Sequence, residues 1–348
     1  MRYRSLGRTG LRVSELFFGA MTFYEPAGSG RMREYAAMLD AYAAAGGNVI
    51  DTASAYGESE SILGELLTGK RDRFVVATKY TLSRDPADPN ASGNHRKNLT
   101  LSLERSLRRL RTDYIDVYWV HIWDRLTPIE ETMRALDDAV RTGKILHIGV
   151  SNAPAWLVSR ANTLAEWRGW TAFAGLQVPY NLLRRDVERE LLPMAEAYGM
   201  SVAAWGPLAG GVLSGKFSRP EGPGGSTRVD PGSLTARDHA VARAAREVAD
   251  ELGVTAAQVA LAWTRSRSAA VHPIIGASGL AQLTENLGAA GLVLPPDAVR
   301  RLESATEFEQ GYPGDFIAEC EAAAGVFGEA VAAENRRIQA VRDTKGDV

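Results

Sequence analysis

A chain of 348 residues, 45% of them apolar, can bury a large core as one barrel or as two domains, and its formal net charge of −2 leaves no electrostatic footprint for nucleic acid or an anionic membrane. The single cysteine, Cys320, excludes an internal disulfide and a thiolate metal cluster. No apolar signal core and no run of about 18 apolar residues occurs, so the expected compartment is the cytoplasm, where the sequons at Asn90 and Asn98 stay idle.

Apolar strand-like runs alternate with helical periodicity along the chain. Strands are predicted to end near Thr22, Asp51, Lys79, His121, Ser151, Pro179, Trp205 and Gly276. Helical patterns lie between them, among others Met32 to Ala45, Lys97 to Leu110, Thr127 to Arg141 and Arg185 to Tyr198. In the second of these Leu99, Leu103, Leu107 and Leu110 share one face, and the arginines opposite read as a solvated surface. Eight strands alternating with helices, with no Pro/Gly-rich linker between halves, predict an α/β fold: a single (β/α)8 TIM barrel over 1–305 and a C-terminal extension over 306–348. Tyr80 to Lys97 and Ser218 to Asp238 are expected as long loops on the C-terminal face, acting as lids. In the extension, Phe308 to Phe316 is expected to line the substrate site and Arg342 to Val348 to fray.

Four polar residues gather at consecutive strand ends. GGNVIDTASAYG, Gly46 to Gly57, delivers Asp51 at the end of a short strand and Tyr56 in the loop after it. RFVVATK ends on Lys79, in a chain with 34 arginines and only six lysines, and YIDVYWVH ends on His121. Each alone has an ordinary explanation: a helix cap, a snorkelling ammonium, a hydrogen-bonded core imidazole. Their convergence points to chemistry, because parallel barrels build their sites at the C-terminal edge of the strands. A phenol with an ordinary pKa of about 10 is a poor proton donor to a carbonyl oxygen unless a nearby cation stabilises the phenolate. Lys79 supplies that charge, Asp51 favours its ammonium form, and His121 completes the set as a neutral hydrogen-bond donor or proton-sharing partner. None of these groups can reduce a carbon, so the hydride must come from a cofactor.

Other chemistries lack support. The five histidines have no paired metal-ligand spacing, so no metal site is expected, and neither G-x-S-x-G nor G-x-G-x-x-G occurs in a suitable place. GGVLSGKF, Gly210 to Phe217, nearly spells a P-loop, but Phe217 stands where a magnesium-binding Ser or Thr would be.

The four residues in this order resemble the catalytic tetrad of the aldo-keto reductases, and DTASAYG resembles that family's signature. KILHIGVSN, GLQVPYN, AWGPLAGGVLSGKF and IIGASGLAQLTEN resemble its later motifs, so the likeness runs from about Tyr3 to about residue 305. DPNASGNHRKN and YIDVYWVHIWD look closest to the aryl-alcohol dehydrogenase-like branch, which is also similar to the β subunits of voltage-gated potassium channels. The resemblance implies NADPH, with NADH the weaker expectation. It places Gly19, Met21 and Asp51 among the cofactor-binding residues, Ser151, Asn152 and Gln177 at the nicotinamide carboxamide, and Trp205 where it is able to stack under the ring. Gly206, Gly210 and Lys216 are implied for the pyrophosphate, Ser278, Gln282, Glu285 and Asn286 for the adenosine, and Pro207, Leu208 and Gly276 as further cofactor-binding residues. Relatives often carry serine at Gly206 and arginine at Ser278, which leaves Arg228 to meet a 2′-phosphate.

The substrate is expected to meet Tyr56 and His121 inside an aromatic entrance of Phe23, Tyr24, Tyr80, Trp123 and Tyr180, suited to aryl or polycyclic carbonyl compounds. The activity implied is NADPH-dependent reduction of an aldehyde or ketone. The alternatives are reduction of a keto-sugar or a polyketide-derived ketone, and a redox-sensing cofactor-binding subunit of the channel type. Nothing before Tyr3 resembles a partner-docking extension, which weakens the last. No oligomeric state is implied.

Overall fold

The computed structural model describes residues 1–24, 30–218, 228–322 and 328. The chain divides into two compact units, Met1–Thr306 and Glu307–Val348. The second contains the helix Gly314–Ala322, and Arg342 to Val348 lies outside the described residues.

The first unit opens with an antiparallel hairpin of β1 (Tyr3–Ser5) and β2 (Arg12–Ser14). Eight parallel strands follow: β3 (Phe17–Gly19), β4 (Val49–Asp51), β5 (Val75–Tyr80), β6 (Ile115–Val120), β7 (Ile145–Ser151), β8 (Phe173–Pro179), β9 (Ser201–Trp205) and β10 (Val271–Ile275). They pair in sequence order, and β10 closes onto β3. The expected TIM barrel is the observed one. Among the described residues no helix is long and apolar enough to cross a membrane.

The pleat divides the apolar residues into two cores. Phe17, Val49, Val75, Ala77, Val117, Trp119, Ala203 and Ile274 point into the lumen, where Leu6 and Val13 from the hairpin region join them and plug one end. Their neighbours in sequence, such as Phe18, Ile50, Val76, Tyr118 and Val202, point outward and pack against the helices. The helices stop and start by local chemistry. Ala236–Leu252 and Ala256–Ser266 each begin in a capping box, Thr235 with Asp238 and Thr255 with Gln258, and the first ends at Gly253 with φ +66°.

Two expectations need correction. Arg185 to Tyr198 is not one helix but a short turn, Asp186–Glu188, followed by a helix at Leu191–Ala197. Pro193 lacks the N–H that a continuous helix would donate back to Arg189, whereas in the first turn of the shorter helix no such bond is required. In the helix Arg96–Leu110 the four leucines are buried as expected, but Arg109 is not a solvated charge, because its guanidinium pairs with the fully buried Glu60.

Trp119 fills the lumen only because two strands beside it carry glycine. A Cβ at Gly149 would stand 2.3 Å from the Trp119 ring, and one at Gly175 would stand 2.9 Å from it. Gly149→Ala should therefore cost about 1–3 kcal/mol of stability through overpacking, read as a lower thermal midpoint, with Trp119→Leu in the same chain recovering part of the loss. An unchanged midpoint for Gly149→Ala would mean that the lumen is looser than these contacts require.

Candidate active site

The pleat that sends Val49, Ala77, Val117 and Ala203 into the lumen sends Asp51, Lys79, His121, Ser151, Gln177 and Trp205 into its mouth. All of these but Lys79 border a cavity of about 560 Å³, lined by Asp51, Tyr56, His121, Ser151, Asn152 and Gln177 at one end, and by the loop after β9 and the turn after β10 at the other.

Lys79 is wholly buried, so its ammonium must be paired. It donates to Asp51 Oδ2 at 2.5 Å and to the Thr52 carbonyl at 2.7 Å, and Nζ stands 4.9 Å from the centre of the Tyr56 ring. Asp51 is fixed from its other side by Gln177, whose Nε2 donates to Oδ1 at 2.8 Å. A carboxylate only accepts, which sets the orientation of that amide and leaves the Gln177 carbonyl oxygen as an acceptor. The Tyr56 and His121 rings meet edge to face with centres 5.9 Å apart.

Burial, and after it the charge of Lys79, pushes the His121 pKa down to about 4, so the imidazole is neutral near pH 7. Its Nδ1 is buried with no hydrogen-bond partner. An orphaned N–H costs more than an orphaned lone pair, so the favoured tautomer carries the proton on Nε2. Asn152 adopts φ +50°, a backbone conformation asparagine tolerates, and its Nδ2 donates to the His121 carbonyl and to Ser151 Oγ, both at 2.9 Å. The strand end with His121 is thus tied to the strand end with Ser151.

The rest of the cavity is bordered by a glycine-rich loop and two cations. After β9 the backbone turns through Gly206, Gly210 and Gly211, with φ of +65°, +67° and +101°. A Cβ on Gly211 would lie 2.8 Å from Lys216 Nζ, so the glycine is what lets the ammonium lie against this loop. Pro207, Leu208, Lys216 and Arg228 line the same end. Across it, Gly276, Ser278 and Gln282 line the turn after β10, with Gln282 Oε1 accepting from Ser278 N and Oγ at 2.8 and 3.0 Å. Gly19 and Met21 line the wall from β3, and a Cβ on Gly19 would strike Ile274 at 2.9 Å.

The expected aromatic entrance is largely absent. Phe23 is buried and stacked on Tyr35 at 4.1 Å. Tyr80 is buried against Tyr118, its hydroxyl donating to the Asn94 carbonyl, and Tyr180 is buried beside Trp263, its hydroxyl donating to Glu188. Tyr80 follows the inward-pointing Lys79 by one residue and Tyr180 follows Gln177 by three, so the pleat turns both out towards the helices. Trp123 packs edge to face on Trp156 and, with Ile129 and Leu157, lines a small void behind the barrel mouth. Tyr24 is exposed but does not line the cavity. Glu285 is exposed and Asn286 is buried with Nδ2 on the Gly276 carbonyl, so neither faces the cavity.

The loop expected as a lid after β5 is braced. Asn94 exchanges hydrogen bonds with Asp124 in both directions and donates to Thr81 Oγ1 and the Ile122 carbonyl. Of the second expected lid, residues 219–227 lie outside the described residues. Thr22, Ser214 and Ala277 also line the cavity and were not anticipated, although Ser214 sits inside the GGVLSGKF loop that the sequence marks. Arg31 was missed as well. Its guanidinium reaches the Ser278 carbonyl at 3.3 Å from a helix far away in sequence, a proximity no local pattern carries.

The depressed His121 pKa gives a direct check. Followed by NMR, the His121 ring should titrate with a midpoint of about 4 rather than 6.5, and Lys79→Met should raise the midpoint only partway, since burial is the larger cause. A wild-type midpoint at or above 6.5 would remove the neutral-donor assignment. The sign for stability follows: a folded pKa below the unfolded one favours folding above about pH 6.5, and that contribution is lost as pH falls towards 4.

Residues 15–307 match the model of the Aldo/keto reductase family. The chain is 39% identical over 336 residues to the aldo-keto reductase ausK of Aspergillus calidoustus, covering 91% of this chain and 85% of that one. It is 40% identical over 324 residues to the norsolorinic acid reductase stcV of Emericella nidulans, covering 89% and 82%. It is 36% identical over 337 residues to the aryl-alcohol dehydrogenase [NADP(+)] of Phanerodontia chrysosporium, covering 90% and 88%. With most of its length matched at this level, the chain belongs to the aldo/keto reductase family and is an NAD(P)H-dependent oxidoreductase.

Proposed function

We propose that this protein reduces an aryl or polycyclic aldehyde or ketone with NADPH, Tyr56 giving the proton to the carbonyl oxygen. The observation that carries the reading is the meeting of Tyr56, His121 and Asp51 at one end of one cavity, with the buried Lys79 paired to Asp51 behind them. Bound NADPH would supply the hydride. Ser151, Asn152 and Gln177 offer amide and hydroxyl groups for its carboxamide, Trp205, 37% exposed, offers a face for its ring, and the loop with Lys216 suits its pyrophosphate. Asp51 keeps Lys79 charged, Lys79 favours the phenolate that Tyr56 becomes, and His121 donates from Nε2 to the carbonyl oxygen. The chain's own part is to orient the carbonyl and move one proton.

Support for an aryl substrate comes from the relatives named aryl-alcohol dehydrogenases and from the apolar rim of Met21 and Trp205. In the described lining the cations are Lys216 and Arg228, both at the phosphate end, so the substrate end suits a neutral carbonyl compound.

The test of the donor is Tyr56→Phe, which should leave less than about a tenth of kcat while cofactor affinity is nearly unchanged; a higher residual kcat would sink the assignment. Lys79→Met should cripple kcat as well. For cofactor choice, a charge-assisted contact from Arg228 to a 2′-phosphate should favour NADPH over NADH by roughly ten- to a hundredfold in kcat/KM. Arg228→Ala should erase most of that ratio by weakening NADPH alone, and equal use of both cofactors by the wild type would defeat the pocket reading. Across a series from small aliphatic aldehydes to substituted benzaldehydes and bicyclic ketones, kcat/KM should rise with aromatic area. Met21→Ala should flatten the rise and Trp123→Ala should not, because Trp123 faces the helices.

A further inference from the structure

We propose that Arg109, on the outer helix Arg96–Leu110, is a positioning residue for Tyr56: with the buried Glu60 it clamps the loop that carries the phenol and ties it to the strand that carries Lys79. This rests on the reading of Tyr56 as proton donor.

Tyr56 is the one member of its group that no strand holds. It sits between two tight turns, its own N–H donating to the Ala53 carbonyl at 3.0 Å and the Ser59 N–H donating to its carbonyl at 3.0 Å. Arg109 grips this segment on both sides. Its Nη1 donates to the Ser54 carbonyl at 3.4 Å, its Nη2 donates to the Gly57 carbonyl, and its Nε donates to Ser61 Oγ at 3.2 Å. A planar guanidinium can hold several acceptors at fixed angles, which an ammonium cannot do.

The charge of that guanidinium is met by Glu60, 3.4 Å away and wholly buried. Glu60 Oε1 in turn accepts from Thr78 Oγ1 at 2.7 Å. Thr78 immediately precedes Lys79, and the pleat sends its hydroxyl outward while the lysine goes inward. A network behind the barrel wall therefore joins the Tyr56 loop, through Arg109, Glu60 and Thr78, to the backbone beside Lys79. The 4.9 Å between Lys79 Nζ and the Tyr56 ring is set from outside the cavity as well as within it. If the pair served only to neutralise Glu60, a lysine at 109 would serve as well, and the contacts to the Ser54 and Gly57 carbonyls would be idle.

That difference is the test. In Arg109→Lys the buried carboxylate keeps a cation, so the thermal midpoint should stay close to wild type. The turn around Tyr56 loses its fork, and kcat should fall by about tenfold or more. Cofactor affinity, measured by fluorescence titration, should stay within about twofold, and the solvent deuterium isotope effect on kcat should rise as proton transfer becomes more limiting. Arg109→Met should lose at least as much kcat; if it does not fold, Arg109→Lys decides alone. A folded Arg109→Lys with wild-type kcat and isotope effect overturns the proposal. So does a loss of kcat that only tracks the folded fraction with the isotope effect unchanged. Tyr56→Phe, run alongside, separates the two readings. If it stays active, the donor assignment fails and the clamp with it; if it is dead while the Arg109 variants match wild type, the clamp alone fails.

Discussion

The pleat of a closed barrel dictates most of this site. Successive residues of a strand must alternate between the lumen and the helix layer, and closure leaves no edge at which the rule can relax. Once Trp119 occupies the lumen, with Gly149 and Gly175 making room for it, the parity of the strands around it is fixed. Asp51, Lys79, His121, Ser151 and Gln177 then share the mouth without any individual requirement to be there. A register slip of one residue would bury every apolar lumen residue among helices and turn the ionisable ones out of the cavity.

The same parity separates what could be read in the sequence from what could not. The barrel was legible because apolar runs alternate with helical periodicity, and Asp51, Lys79 and His121 stood out because polar residues end apolar runs. The aromatic entrance is not legible in the same way, because nearness to a strand end does not fix which way a side chain points. Tyr80 and Tyr180 have the wrong parity, and for Phe23 and Trp123, which lie in loops, no periodicity exists to consult. Arg31 beside Ser278 and Arg109 beside Glu60 illustrate a different limit, since their contacts span distant parts of the chain and carry no local signal.

One buried charge acts on its neighbours in opposite ways. Lys79 is paired with Asp51 and the Thr52 carbonyl in a place where an unpaired charge could not persist. From there, in the proposed reaction, it would stabilise the phenolate left on Tyr56, and it disfavours a cation on His121, whose pKa is already depressed by burial. The proposed division of labour, with tyrosine giving the proton and histidine kept neutral as donor, thus rests on burial together with the placement of one lysine. The Gln177 amide extends this arrangement, because a side chain that lines the cavity also holds the carboxylate paired with Lys79.

Strands position their residues through the barrel's own hydrogen bonds, and loops have no such support. Asp51, Lys79 and His121 inherit their geometry from the sheet, whereas Tyr56, which in the proposed reaction must come within hydrogen-bonding distance of a substrate oxygen, is delivered by a turn. A turn of this kind would drift unless other elements held its carbonyls. The holders lie in the helix layer, where Glu60 is buried without exposure and Arg109 is largely covered, so water competes little for their contacts. The barrel wall therefore has two polar systems back to back. One inside the mouth sets the charges of the reaction, and one behind the wall sets the place of the group that would give up the proton.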